Sequence, residues 1–467
     1  MQRERVRLYL GDCRDTLWVL PDDSVDAVVC DPPYELKQNS KSTKGFMGKT
    51  WDGSGVAFDP AAWREILRVL KPGGHMVAFG GSRTFHRVFC AIEDGGFYIV
   101  DTLMWLYGTG WPKSLNISKF IDKQAGAERP VMGTYTPPNG KEWNLTREND
   151  RDDSEIFKVL PKLDLRITGP ATEDAARFEG YGTALKPSFE PICLSRKPIR
   201  ERNVARQMIV TGTGALNISA CRIPVVGEVV STPQSDPAKR KGAVGTDLGI
   251  SNADVEAFRA AQRESAERTN TLGRWPANVL FDEDAAALLD DEVGTLTSGK
   301  MAPGTARSNR KGWAGDMPET TGAGTYGDSG GPSRYFNTIK IDDTVEKEDG
   351  ACGDVSPEGE DVSVGNSTRF YYVAKPSTKE KNADMPDGMI NNHPTNKPEA
   401  LMRYLVRLVC LPGGVVLDPF LGSGSTGVAA LDEGMDFIGI ELEQPSLDIA
   451  EARLETHMAK MVGQVPL

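Results

Sequence analysis

Asp31-Pro32-Pro33-Tyr34 is the segment best equipped to do chemistry, and it follows directly on the apolar run Val25–Cys30. Such a run reads as a buried strand, and in a parallel sheet ligands bind where strands end. Two consecutive prolines fix φ and remove two N–H donors. They hold the Asp31 carboxylate and a backbone carbonyl toward a common point. Two acceptors converging on one –NH2 suit an aromatic amine, whose lone pair is otherwise conjugated with its ring. Accepting both hydrogens draws the nitrogen toward tetrahedral geometry and frees the pair to attack a sulfonium methyl. Tyr34 offers an aromatic face on which an unstacked base can lie. The competing reading of the bare tetrapeptide is an ordinary Asp-Pro turn.

A second constellation is Asp418-Pro419-Phe420-Leu421-Gly422-Ser423-Gly424-Ser425-Thr426-Gly427, between an apolar strand and a helical stretch. Its glycines let the backbone approach a ligand, and the helix start offers free N–H groups for a carboxylate or phosphate. Ser425 or Thr426 is placed to cap that helix. It is neither a Walker loop nor a proper G-x-G-x-x-G. Glu441 falls about twenty residues on, just past the next strand, where an acid can accept from ribose hydroxyls. A third, Asn391 to Pro398, opens the preceding helix, and Thr395 and Lys397 there could hold the carboxylate of a zwitterion. By itself it is only a helix N-terminus. The fourth, Gly11-Asp12-Cys13, ends the first strand; Asp12 suits an adenine amino group or ribose, or merely caps the following helix.

These pieces need a scaffold. Residues 6–10, 25–30, 75–81 and 97–107 read as strands, with helices over 60–70 and about 82–94. Lys71-Pro72-Gly73-Gly74 is a helix stop. At the other end, 398–410 suits a helix, 415–420 and 436–442 strands, and the intervening and following stretches helices. This alternation implies a parallel α/β sheet covered by helices. Residues 108–370 are rich in Gly, Pro, Ser, Thr and Asp and promise a loop-rich lobe, mobile around 232–250, 300–335 and 342–366. The apolar pieces 189–198, 273–281 and 368–376 interrupt it.

The 467 residues suffice for two or three domains, and no apolar run of about 18 residues suggests a membrane span. Seven cysteines without a C-x-x-C pair and four histidines argue for a reducing cytosol and against a metal cluster. The net charge of −12 disfavours a nucleic-acid partner only if charge is evenly spread. It is segregated: 342–361 is strongly acidic. Lys37, Lys41, Lys44 and Lys49 form one basic stretch; Arg196, Lys197, Arg200, Arg202 and Arg206 form another. Each is a candidate phosphate-contacting surface or a solvated face.

Taken together, the motifs resemble the amino-DNA methyltransferases, specifically the permuted class in which the catalytic motif precedes the cofactor motif. Asp31 to Tyr34 match the D/N/S-P-P-Y/F tetrapeptide, Asp418 to Thr426 the D-P-F-x-G-S-G-[ST]-T loop, and His393 to Pro398 the H-P-x-x-K-P element. Glu441 matches the ribose-binding acid, and Gly11-Asp12 the G-D element. The resemblance covers roughly 1–107, 189–198 and 368–460. It implies S-adenosyl-L-methionine, a Rossmann-like sheet with helices on both faces, base flipping, double-stranded DNA as partner and no metal. Asp31, Pro32, Pro33 and Tyr34 would be catalytic. Asp12, Cys13, Asp31, His393, Thr395, Lys397, Asp418, Pro419, Phe420, Gly422, Ser423, Gly424, Ser425, Thr426 and Glu441 would line the cofactor. Lys37, Lys41, Lys44, Lys49, Arg196, Lys197, Arg200 and Arg202 would meet DNA, with the lysine loop closing over it and Trp51 packing on cofactor or base. The chain then divides into a catalytic half at 1–107, an insertion at 108–188, a returning strand at 189–198, a target-recognition lobe at 199–367 and a cofactor-binding half at 368–467.

Asp at the first position favours the N6 amino group of adenine over N4 of cytosine. A cytosine-C5 mechanism needs a nucleophilic Pro-Cys, which is absent. Methylation of RNA or a protein glutamine, or a non-catalytic DNA-binding role, are further alternatives; the motif order and the intact Asp31, Tyr34 and Glu441 weigh against them. The setting expected is the cytoplasm of a bacterium or a phage-infected cell. No nuclease motif points to a restriction partner, and a homodimer stays open.

Overall fold

A computed structural model describes residues 5–36, 52–107, 114–134, 166–223, 378–386 and 388–463, most of 267–293, and short pieces elsewhere between 260 and 339. The chain forms two compact units. The larger comprises Met1–Gly108, Phe189–Asp342 and Val373–Leu467; the smaller comprises Thr109–Ser188 and Asp343–Tyr372.

The larger unit is built on a nine-stranded sheet. Its elements in chain order are β1 (Val6–Leu10), α1 (Cys13–Thr16), β2 (Val25–Cys30), α2 (Pro60–Val69), β3 (Leu70–Phe79), α3 (Phe85–Asp94), β4 (Tyr98–Leu106), β5 (Phe189–Arg196), α4 (Val204–Thr211), β6 (Val279–Asp282), β7 (Asn337–Ile339), α5 (Glu399–Val409), β8 (Val415–Asp418), α6 (Ser425–Asp432), β9 (Asp436–Glu441) and α7 (Gln444–Gly463). The strand order is β1-β9-β8-β2-β3-β5-β4-β6-β7. Every neighbouring pair is parallel except the two made by β5. The all-parallel expectation is therefore corrected at one strand. The cause is local: Phe189 pairs with Leu106, so the chain re-enters the sheet where it left and must run back along β4.

Strands buried on both faces read as continuous apolar runs, as VDAVVC does. Ala27 and Val29 of β2 enter one core with α5, α6 and α7, among them Leu401, Leu405, Val428 and Leu454. Val28 and Cys30 enter the opposite core with α2 and α3, among them Trp63, Ile66, Val88 and Ile92. Helices thus cover both faces. The Lys-Pro-Gly-Gly stop does end α2, but it interrupts the ladder rather than preceding it. Leu70 already pairs with Val25, and the register shifts before His75 pairs with Ala27. No described helix is long and apolar enough to cross a membrane.

The smaller unit centres on a helix over Ile117–Ala125, capped by Asn116, and a two-stranded antiparallel pair, Val131–Thr134 with Arg166–Thr168. Asp122 is fully buried there and accepts from Ala171 N, Thr172 N, Thr172 Oγ1 and Arg129 Nη1 at 2.7–3.0 Å. A buried carboxylate is tolerated when it is hydrogen-bonded and paired in this way.

Candidate active site

β2 and β8 are neighbours, with Ala27 opposite Val416 and Val28 opposite Leu417. Their carboxyl ends therefore lie side by side. Asp31 follows β2 and Asp418 closes β8, so the two motifs open from one sheet edge although most of the chain separates them.

Around Asp31 the structure assembles a compact charged cluster. Lys397 Nζ lies 2.5 Å from Asp31 Oδ2, 3.3 Å from Glu190 Oε2 and 3.2 Å from the Tyr34 hydroxyl oxygen. The Tyr34 hydroxyl donates to Glu190 Oε2 at 2.7 Å. Lys397 is 8% exposed, and its ammonium stands over the Phe79 and Tyr34 rings at 4.8 and 5.4 Å. Burial pushes the Asp31 carboxyl up; Lys397 opposes the rise and Glu190 adds to it. Burial pulls Lys397 down, but Asp31 and Glu190 outweigh it and keep the ammonium charged. Burial, then Asp31 and Glu190, drives the Tyr34 hydroxyl well above its usual range, so it stays protonated and donates. Among the described residues, Asp31 Oδ1 is buried without a partner. An unsatisfied buried acceptor is costly, so this oxygen is suited to a donor from outside the chain.

Tyr34 is held at both ends. Thr84 Oγ1 donates to its carbonyl at 2.6 Å, and its ring lies against Gly81, where a Cβ would come within 2.9 Å of Cδ2. Glu35, immediately after it, is buried and takes a left-handed φ of 54°.

The glycine-rich loop is stapled from within. Asp418 accepts from Phe420 N at 3.0 Å and from Thr426 Oγ1 at 2.5 Å; burial pushes its carboxyl up to about 7. Thr426 thus braces Asp418 instead of capping α6, and the N-cap is Gly424, which has no side-chain bond. Gly422 has a φ of 55°, and a Cβ there would meet the His393 ring at 3.1 Å. Gly422 N donates to Glu441 Oε2 at 2.8 Å, and Glu443 N to Oε1 at 2.9 Å. Both Glu441 oxygens keep lone pairs for further donors. Ser423 bonds to Asn396, whose Nδ2 is buried and, among the described residues, unpartnered. Arg453 lies beneath, donating to Ser423 O and Ser425 Oγ and pairing with Glu399. Phe420 packs on Trp63 at 6.2 Å between ring centroids, which ties the loop to α2. Pro419 lies between Asp418 and Phe420 in this turn, and Thr395 is half-buried beside Asn396.

These residues fit a cofactor with an amino-acid end and a ribose. The helix start, the open Asn396 donor and the acidic Glu441 are brought to one edge. Asp12 sits nearby in backbone terms, since Gly11 N donates to Glu441 O at 2.8 Å. Its carboxylate, however, caps α1 through Arg14 N and pairs with the Arg14 guanidinium at 2.5 Å. Cys13 is buried, and burial pushes its thiol up to about 12, so it is no nucleophile.

The basic stretch after β5 is revised. Arg196 pairs with His75 midway along β3 and with Tyr98 at the amino end of β4, on the side away from Asp31. It donates to Gly214 O at 3.2 Å. Lys197 Nζ is spent on Asp23 at 2.7 Å and on the Leu70 and Arg68 carbonyls. Arg196 and Lys197 are thus engaged within the chain, at the sheet end away from Asp31. Arg200 pairs with Asp23 at 2.6 Å but stays mostly exposed, as does Arg202. Lys37, Lys41, Lys44, Lys49, Trp51, the apolar piece 368–376 and nearly all of the three stretches expected to be mobile lie outside the described residues. Sequence reasoning missed Glu190, Asn396 and Arg453. The one signal for Glu190 was a carboxylate within an otherwise apolar strand.

Fold and site define an α/β enzyme domain in which an Asp-Pro-Pro-Tyr turn adjoins a glycine-lined cofactor loop. A family model described as DNA methylase matches residues 25–125 and 246–452. The chain belongs to this DNA methylase family of N6/N4 methyltransferases. Among curated relatives, it is 45% identical over 64 residues to the DNA adenine methyltransferase YhdJ of Escherichia coli (strain K12), covering 14% of this chain and 22% of that protein. It is 48% identical over 62 residues to the type II methyltransferase M.HinfI of Haemophilus influenzae, covering 13% and 17%. The chain thus spans about a fifth of the length of these relatives. Solved structures similar to it include the M1.HpyAVI–SAM complex, 14% identical with a TM-score of 0.35, covering 96% of this chain and 98% of that one. The cytosine-N4-specific PvuII DNA methyltransferase is 12% identical with a TM-score of 0.39, covering 99% and 94%.

Proposed function

We propose that this chain transfers a methyl group from S-adenosyl-L-methionine to the N6 amino group of adenine flipped out of double-stranded DNA. The observation that carries the reading is Asp31 Oδ1, unpartnered among the described residues, at the shared end of β2 and β8, with Lys397 linking Asp31 to the Tyr34 hydroxyl. Bound S-adenosylmethionine supplies an electrophilic methyl on a sulfonium. Glu441 is assigned to its ribose, and the start of α6 with Asn396 and Thr395 to its amino-acid end; the Lys397 ammonium is instead engaged by Asp31 and Glu190. Asp418 and Gly422 shape the loop around it. Asp31 accepts a hydrogen of the amine and so localises the nitrogen lone pair. The Tyr34 ring stacks on the base, because a π-face binds any extruded base. The sulfonium would give its methyl to that nitrogen and depart as a neutral thioether, and the proton lost by the methylated amine would pass to solvent.

Asp31 and the name of the E. coli relative favour adenine over cytosine. We assign target recognition to residues 199–367. The test is transfer of radiolabelled methyl to unmethylated duplex DNA, followed by digestion to nucleosides. N6-methyl-2′-deoxyadenosine is expected. N4-methylcytosine would move the reading to the other base, and labelling of RNA or protein alone would overturn it.

A further inference from the structure

Glu190 belongs to none of the motifs, yet it lies at their centre. It stands near the start of β5, opposite Trp105 of β4. Residues 191–195 of this strand are buried, so a carboxylate here is costly unless paired. Its partners are the Tyr34 hydroxyl at 2.7 Å and Lys397 Nζ at 3.3 Å. Lys397 is therefore shared by two carboxylates, with Asp31 the nearer at 2.5 Å.

The position of that ammonium is informative. It is an N–H donor lying against Asp31 and at the hydroxyl end of Tyr34, 3.2 Å from the phenol oxygen. A target amine needs the same carboxylate acceptor. An ammonium at hydrogen-bond distance also draws density from the carboxylate that must accept the amine's hydrogens. Lys397 and the amine therefore compete for Asp31. Glu190 lies within an ångström or so of taking the ammonium over, and Lys397 has three hydrogens and a flexible stem with which to shift.

We propose that Glu190 is a positioning residue that draws Lys397 away from Asp31 when the target amine docks, so that Lys397 moves between the two carboxylates in each turnover. This rests on the methyltransferase reading above. The tyrosine bond fixes Glu190 in place for the exchange, and the exchange leaves neither carboxylate buried and unpaired. Without Glu190, Lys397 has Asp31 as its single carboxylate partner among the described residues and holds it.

The test is a double-mutant cycle of E190Q and K397Q. Gln at 190 keeps the size of Glu and still accepts from Tyr34, but it carries no charge. E190Q should lower single-turnover methyl transfer about 10²-fold, the effect of misplacing a reacting group by about an ångström. Its affinity for S-adenosylmethionine, measured by calorimetry, should stay within about twofold. In the K397Q background, the same E190Q change should cost less than about threefold, because no ammonium remains to hold. Equal losses in both backgrounds would overturn the proposal, as would an E190Q protein as active as the parent. If E190Q does not fold, E190D, which withdraws the carboxylate by one methylene, should show the same dependence on Lys397; a background-independent loss would again overturn it. If the unaltered chain methylates no DNA, the methyltransferase reading has failed, independently of Glu190.

Discussion

Removing the proton from His457 should loosen the support of the Asn391–Pro398 element. His457 of α7 places Nδ1 3.0 Å from Asp384 Oδ2 and Nε2 2.9 Å from Asp432 Oδ1. Lys460 adds a contact to Asp384 Oδ1 at 2.9 Å and one to the Ala383 carbonyl. The same segment reaches the site, because Asn391 N donates to Asn382 Oδ1 at 2.7 Å. Hydrogen bonds to Asp384 and Asp432 raise His457 from 6.5 to about 9, against the opposing pull of burial. A folded-state value above the unfolded one means that protonation stabilises the fold. The contribution is therefore complete below pH 6.5 and is lost as pH rises through about 9. At about 1.4 kcal/mol per unit the shift sets a ceiling near 3 kcal/mol; with Asp432 about a quarter exposed, ~2 kcal/mol is the working figure. Asp384 is held down at about 2 by the same partners, so its share is the other side of one interaction and is not added. His457→Gln keeps the volume and one hydrogen bond but cannot gain the proton. Urea unfolding at pH 6 should put H457Q about 2 kcal/mol below the parent, and at pH 10 the two should nearly coincide. A gap of the same size at both pH values would refute the reasoning, since it would show a packing loss and not a titration.

Asp31→Ala should lower methyl transfer by more than about 10²-fold with cofactor affinity within a few-fold, read by calorimetry beside a filter assay. Loss of both together would make Asp31 structural. Gly81→Ala places a Cβ 2.9 Å from the Tyr34 ring, so it should cut kcat/KM for DNA about 10²-fold without changing cofactor affinity; unchanged kcat/KM would show that the ring has room to move. DNA affinity should fall steeply with salt, and Arg196→Ala should leave that slope as it was. A slope reduced by about one would restore Arg196 to the phosphate contacts.

The legible features of this molecule are those that chemistry fixes locally. A run such as VDAVVC cannot be solvent-exposed, and a diproline after it cannot continue a strand, so Asp31 was placeable at a strand end without coordinates. The glycines of the Asp418 loop likewise announce a close approach. Side-chain partners did not follow from type. Thr426 looked like a cap and instead braces Asp418, because Gly424 already turns the chain into α6. Asp12 looked free for a ligand and is engaged by Arg14, two residues on.

The places of Glu190, Arg196 and Lys197 share one cause, the direction of β5. FEPICLSRKP reads as a strand in either direction, and its residues alternate faces the same way in both. Only the pairing of Phe189 with Leu106 sets which end meets the active-site edge. Running antiparallel, β5 brings Glu190 to the carboxyl ends of the parallel strands, beside Tyr34 and Lys397. The same reversal carries Arg196 and Lys197 to the amino ends, where Asp23 and the Leu70 carbonyl claim the lysine. A parallel β5 would have exchanged the two ends, placing the basic pair beside Asp31 and Glu190 far from it. The chemistry around Asp31 thus depends on topology as much as on motif: the carboxylate that shares Lys397 comes from a segment with no signature of its own.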